Sequence, residues 1–176
     1  MNATSKRLQA GASLIEILVT LLILSLGMLA LSGMMAYAVQ MPKLSAYRAA
    51  AVSLASAHVE RMRANVEGFK NGNYTLATTY PQSSAPSGTN CAYPSCDASG
   101  IAQADNRDSN TAIFQQLPVG GMKVACDGAC DLKQGDIWVM WREPTTYGNQ
   151  SFAASDECPT GTFTEQPRCI HIKFKL

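Results

Sequence analysis

Six cysteines, two histidines and a handful of carboxylates are the side chains in this 176-residue sequence that could carry chemistry. The cysteines are Cys91, Cys96, Cys126, Cys130, Cys158 and Cys169. An even number in a compartment that permits oxidation reads as a disulfide framework. Pairing by proximity joins Cys91 to Cys96, Cys126 to Cys130 and Cys158 to Cys169, one of many connectivities that six cysteines allow. The rival is zinc, held by Cys126-x-x-x-Cys130 with Cys169 and His171. That spacing is looser than paired C-x-x-C motifs, so neither a metal nor another cofactor is expected. His58 falls in an apolar stripe and reads as a satisfied core or border histidine rather than a ligand. Asp127 and Asp131 flank a turn and read as solvated. There is no G-x-S-x-G, no H-E-x-x-H and no phosphate-cradling glycine loop, so no catalytic residue is expected and the chain is not read as an enzyme. Formal net charge is +1 without a polybasic face, which argues against nucleic acid as a partner.

One acid stands apart. Glu16 lies in the stretch GASLIEILVTLLILSLGML that begins at Gly11. An acid in hydrocarbon costs roughly 2.5–3.5 kcal/mol and normally has a partner or a job. From Ile17 to Val39 there are 23 residues without a charge. As a helix they reach about 34 Å, against a hydrocarbon core of ~30 Å. Lys6 and Arg7 precede the run without an acid, which keeps the short flank cytoplasmic and exports the C-terminal bulk. Ser13 and Glu16 fit a capping box, and an acid suits a helix N-terminus, so a plain membrane anchor is one reading. A secretory signal peptide is another, since Ala36-Tyr37-Ala38 has the A-x-A form; it would release a soluble periplasmic binding domain. The run is longer than an ordinary h-region and opens with an acid, both against that reading.

The elements that must position these groups follow from the pattern. Pro42 is expected to kink the helix after the span. Leu44, Tyr47, Ala51, Leu54, His58, Met62 and Val66 then recur at three- and four-residue steps, a core-facing stripe with Arg48, Glu60 and Arg63 mostly off it. Gly68 and Asn71-Gly72-Asn73 are expected to stop the helix, giving one rod from about Ser13 to Val66. Residues 81–110 read as loop, with a short helix over about Ala102–Leu117. Three strands are expected: Met122–Cys126, Ile137–Arg142 and Cys169–Leu176, the first followed by a tight turn at Asp127-Gly128. In the second, Ile137, Val139 and Trp141 face one way and Trp138 and Met140 the other. That pattern fits a strand covered on both sides, or an exposed aromatic used for contact. In the third, His171 is expected to point to solvent, and Lys173 and Lys175 to discourage edge aggregation. The fold class is α+β: a small antiparallel sheet packed on the C-terminal half of one long helix.

The basic leader, Gly11, the acid at Glu16 and the long apolar run together resemble the class III leader of type IV prepilins and pseudopilins. The resemblance implies cleavage between Gly11 and Ala12, N-methylation of Ala12, and pairing of Glu16 with the N-terminal amine of a neighbouring subunit. Most members of that family have Phe where this chain has Ala12. Glu60-Arg-Met-Arg-Ala-Asn65, followed by Tyr74, is similar to a stretch of PilV-type minor pilins, and Leu117-Pro-Val-Gly-Gly121 resembles their LPxG turn. The family implies a pilin-like domain organisation: a leader at 1–11, a transmembrane and assembly half of the helix at 12–41, an amphipathic half at 42–68, and an exported cysteine-rich region at 69–176. It implies a minor pilin at or near the tip of a type IV pilus, priming assembly and supporting twitching motility and surface attachment. Its partners would be other minor pilins, the major pilin and the prepilin peptidase/N-methyltransferase, with the inner membrane holding the subunit before assembly. A type II secretion pseudopilin, built the same way, is the alternative.

Overall fold

The computed structural model describes residues 13–88, 90–92, 95–143, 157–161, 163–164 and 166–176, apart from the side chain of Gln40. In chain order the elements are α1 (Leu14–Ala64), α2 (Val66–Lys70), α3 (Ala98–Gln116), β1 (Gly121–Cys126), β2 (Gln134–Trp141) and β3 (Arg168–Lys175). The chain divides into two compact units, Met1–Pro42 and Lys43–Leu176.

In the first unit α1 is apolar on every side, and its large side chains are exposed, from 39% at Met41 to 81% at Leu14. Pro42 lies inside α1 and does not end it. In the second unit α1 becomes one-sided. Ala51, Ala55, His58, Val59 and Met62 are buried, while Arg48, Glu60 and Arg63 are exposed.

Helix α1 ends at Ala64, slightly before the expected Val66. Asn65 leaves helical geometry (φ −126°, ψ 60°), and its side chain accepts from Gly68 N to cap α2. Gly68, expected to help stop the helix, is instead buried inside α2. The chain turns away at Gly72, whose φ of 77° suits glycine, with Gly72 N donating to Phe69 O at 2.8 Å. Helix α3 starts at Ala98 rather than near Ala102, because the Asp97 carboxylate accepts from Gly100 N at 2.6 Å and caps it there.

The three strands form one antiparallel sheet in the order β1-β2-β3. Its inner face carries Met122, Val124, Ile137, Val139, Trp141 and Phe174, which share one core with the buried residues of α1 and with Ala102 and Ile113 of α3. On the other face Met140 packs with Tyr80 and Cys169, with Trp138 and Phe163 partly buried against them. Of the two expectations for β2, cover on both faces is the one observed. The Asp127-Gly128 turn is wider than expected. Its connection runs over residues 127–133 through a 3-10 turn at Cys130–Leu132, with positive φ at Gly128 (78°) and Lys133 (58°). The Cys126–Cys130 disulfide and the bond from Asp127 N to Gln134 O (3.0 Å) close it.

The α3–β1 junction explains its own sequence. Val119 sits at φ 55°, an outlier for a β-branched residue that costs of order 1–3 kcal/mol. A Cβ on Gly120 would come within 2.9 Å of the Ile113 carbonyl, and one on Gly121 within 2.5 Å of Tyr80 N. The close approach of these backbones leaves no room for any residue but glycine at either position.

Candidate functional site

Gly11 and Ala12 lie outside the described residues. The described chain begins at Ser13, whose carbonyl accepts from Glu16 N (3.0 Å) and Ile17 N (3.2 Å) to start α1. The reciprocal side-chain bonds of a capping box are not formed among the described residues. Glu16 occupies the first turn. Its carboxylate has no side-chain partner among the described residues.

The Ser and Thr hydroxyls at positions 20, 25 and 32 of the apolar stretch are bonded locally. Thr20 Oγ1 donates to Ile17 O at 2.8 Å, Ser25 Oγ to Leu22 O at 2.9 Å, and Ser32 Oγ to Leu29 O at 2.8 Å. Bonds of this kind hide hydroxyls from hydrocarbon. Glu16 is therefore the one side chain between Leu14 and Val39 that carries a charge and lacks a local bond. The most apolar 18-residue window of the helix has a mean hydropathy of 2.6, long and apolar enough to cross a membrane. A helix that exposes so much apolar surface must be covered by lipid or by other proteins.

The other residues singled out from the sequence lie apart from one another. The cysteines form Cys91–Cys96, Cys126–Cys130 and Cys158–Cys169. With Cys126 bonded to Cys130 and Cys169 to Cys158, the zinc set with His171 has no free thiolate. The described residues contain no group of three metal-ligating side chains. His58 is fully buried, and its Nδ1 lies 2.8 Å from Ser109 Oγ. Burial, helped by the nearby Arg61 guanidinium, lowers its pKa to about 4, so it is neutral near pH 7.

Asp127 is paired rather than simply solvated: Lys173 Nζ stands 3.0 Å from Asp127 Oδ2. That hydrogen bond, with the charges of Asp127 and Asp136, raises the pKa of Lys173. His171 is exposed as expected, yet its ring is engaged. It stacks on Trp138 at 4.7 Å, and its Nε2 lies 2.6 Å from Asp136 Oδ1.

The Glu60–Asn65 segment has a structural role that its residue types did not announce. Asn65 Nδ2 donates to Ala98 O (2.8 Å) and Tyr74 OH (3.2 Å), and Tyr74 OH donates to Asp105 Oδ2 at 2.5 Å. Arg61 approaches the same carboxylate at 3.8 Å. Burial, then the bond to Asp105, pushes the Tyr74 phenol well above its ordinary pKa. Together these bonds tie the end of α1 to α3. Asp105 gave no signal in the sequence, because nothing in its type or spacing marks a helix carboxylate as the partner of Tyr74, 31 residues away.

Comparison with known proteins bears on the N-terminus. No curated protein and no solved structure matches the chain. Residues 6–32 match the family model of the prokaryotic N-terminal methylation motif, a span that contains Gly11, Ala12 and Glu16. The match supports a type IV pilin-like protein whose N-terminus is of the prepilin kind, processed by a prepilin peptidase.

Proposed function

We propose that this chain is a minor pilin of a type IV pilus. A prepilin peptidase removes residues 1–11, and Ala12 becomes the methylated N-terminus. The apolar part of α1, up to about residue 41, first holds the subunit in the inner membrane with the cysteine-rich region outside. It then packs among the helices of neighbouring subunits. Glu16 meets the N-terminal amine of the next subunit and sets the register, since a buried acid is far less costly beside a hydrogen-bonded cation. The subunit is incorporated with other minor pilins at or near the tip and primes polymerisation of the major pilin. Twitching motility and surface attachment depend on it through that step.

The observation that carries this reading is the methylation motif over residues 6–32, set on the start of a helix whose large side chains are exposed up to Met41 and whose one acid in that part is Glu16. Type II secretion pseudopilins share such a leader. The likeness of Glu60–Asn65 and Tyr74 to PilV-type minor pilins favours the pilus.

Two substitutions test the proposal in cells. Gly11→Val is expected to abolish processing and leave the full-length chain in the membrane; normal processing of that variant would remove the prepilin reading. Glu16→Ala is expected to be processed but to assemble poorly. Full piliation of a deletion strain by Glu16→Ala would remove the pairing role of the acid while leaving the processing argument intact.

A further inference from the structure

Asn71 is the one asparagine of this chain that is followed by glycine. Such a pair can react with itself. The backbone nitrogen of the second residue attacks the side-chain amide carbon of the first, and a glycine, with no Cβ, leaves that nitrogen open to approach. Asn71 is exposed, at the C-terminal cap of α2. The fold nonetheless holds the reacting atoms apart. Gly72 N donates to Phe69 O (2.8 Å), between the bonds from Asn71 N to Glu67 O (3.1 Å) and from Asn73 N to Gly68 O (2.9 Å). The Asn71 amide is drawn back along α2, its Nδ2 donating to Glu67 Oε1 at 3.2 Å. The torsion between the two groups is also wrong for attack. Closing the ring needs Asn71 Cβ beside Gly72 N across the Cα–C bond. At the observed ψ of 2° it is Asn71 N that eclipses Gly72 N.

We propose that Asn71-Gly72 is a deamidation site that the fold closes and that loss of the α2 turn opens. In the opened turn hydroxide takes the proton from Gly72 N, which bonds to Asn71 Cγ. The Cγ–Nδ2 bond breaks, and the nitrogen takes up a proton and leaves as ammonia. Water then adds to either carbonyl of the succinimide and gives aspartate or isoaspartate at position 71. Neither product fits the turn that protected Asn71. An aspartate puts a carboxylate where Glu67 had a donor, and adds negative charge at a helix C-terminus. An isoaspartate lengthens the main chain by one carbon, which displaces the bonds made by Gly72 N and Asn73 N. Refolding does not reverse the reaction, so the turn stays loosened. Gly68 passes the change inward, because a Cβ there would stand 2.7 Å from Ala98 O, and Asn65, which caps α2, donates to that same carbonyl. Position 71 therefore records, once and irreversibly, that α2 has opened. The inference rests on residues 65–73 and does not depend on how the leader is processed.

The test is peptide mass mapping of the full chain in detergent micelles at mildly alkaline pH, with and without urea above the unfolding midpoint. The exchange of NH for O at residue 71 is expected to run about tenfold or more faster in urea. In urea Asn71 is expected to react ahead of Asn65, Asn73 and Asn106, which precede Val, Tyr and Arg. Asn71→Asp is expected to lower the hydrogen-exchange protection of the Gly72 and Asn73 amides about three- to tenfold in the absence of urea. Equal rates with and without urea would remove the gate, and no preference for Asn71 in urea would remove the site. Undiminished protection in Asn71→Asp would remove the loosening of the turn. Any of these results overturns the proposal.

Discussion

Residues 14–41 and residues 43–64 lie on one helix, yet the chain treats them oppositely. The first stretch buries none of its large apolar side chains, and Leu14, Leu29 and Met34 are exposed by 81%, 71% and 73%. The second turns Ala51, Ala55, His58, Val59 and Met62 into a core shared with α3 and the sheet. Helix propensity does not separate them, since the first is rich in Leu and Met and the second in Ala, all strong helix formers. What separates them is the spacing of polar residues. After Pro42, charged and polar side chains return at intervals that leave one apolar stripe, and a stripe can be covered by a single domain. Before Pro42 the apolar surface goes all round, and covering it takes lipid or several neighbouring helices. The cover of the second stretch is therefore written in this chain, and the cover of the first lies outside it.

The largest expected effect comes from breaking the self-covered region alone. Trp141 is fully buried in the main core. Trp141→Ala should cost roughly 3–5 kcal/mol, a large part of the stability of an ordinary domain. Urea unfolding of the full chain in micelles should show that loss, while membrane fractionation stays unchanged. A variant that left the membrane fraction would contradict the separation of the two regions.

A somewhat smaller effect is expected from pH. His58 is held at about 4 in the folded chain, against an ordinary value of 6.5. Because the folded value is the lower one, the unfolded chain takes up the proton first. Its contribution is fully present above about pH 6.5 and is lost as the pH falls towards 4, by up to about 3 kcal/mol. Urea midpoints measured across that window should drop for the natural chain and flatten for His58→Gln. An equal drop in both would assign the acid sensitivity to other groups.

The smallest effect sharpens where the two regions meet the sequence motif. Tyr74→Phe removes the hydroxyl that bonds Asp105 and Asn65, and should cost about 1–2 kcal/mol. It should leave processing at Gly11 untouched. Loss of pilus assembly with unchanged stability would give Glu60–Asn65 a role in subunit contact rather than in tying α1 to α3.

The strands and the long helix were legible because each rests on a period that survives in one dimension. Ile137, Val139 and Trp141 alternate, and so do Ile170, Ile172 and Phe174. The boundaries were less so. Helix α3 begins at Ala98 because Asp97 caps it, inside a stretch whose Ser, Asn and Asp content reads as loop. The break at Asn65 depends on Tyr74 and Ala98 arriving from elsewhere, and nothing local foretells it. His171 looked free because alternation gives a face and not a neighbour; only the register with β2 sets it on Trp138 and beside Asp136. At the N-terminus, Glu16 was conspicuous as an acid in an apolar run, and the structure adds that Thr20, Ser25 and Ser32 need no partner.

The most direct test is the intact mass and N-terminal sequence of the protein from its own cells, with and without the prepilin peptidase. A chain that starts at Ala12 and is heavier by one methyl group, only when the enzyme is present, is the result predicted. A start at Val39 would make it a secreted soluble protein, and an intact Met1 an ordinary anchored one; either would contradict the account.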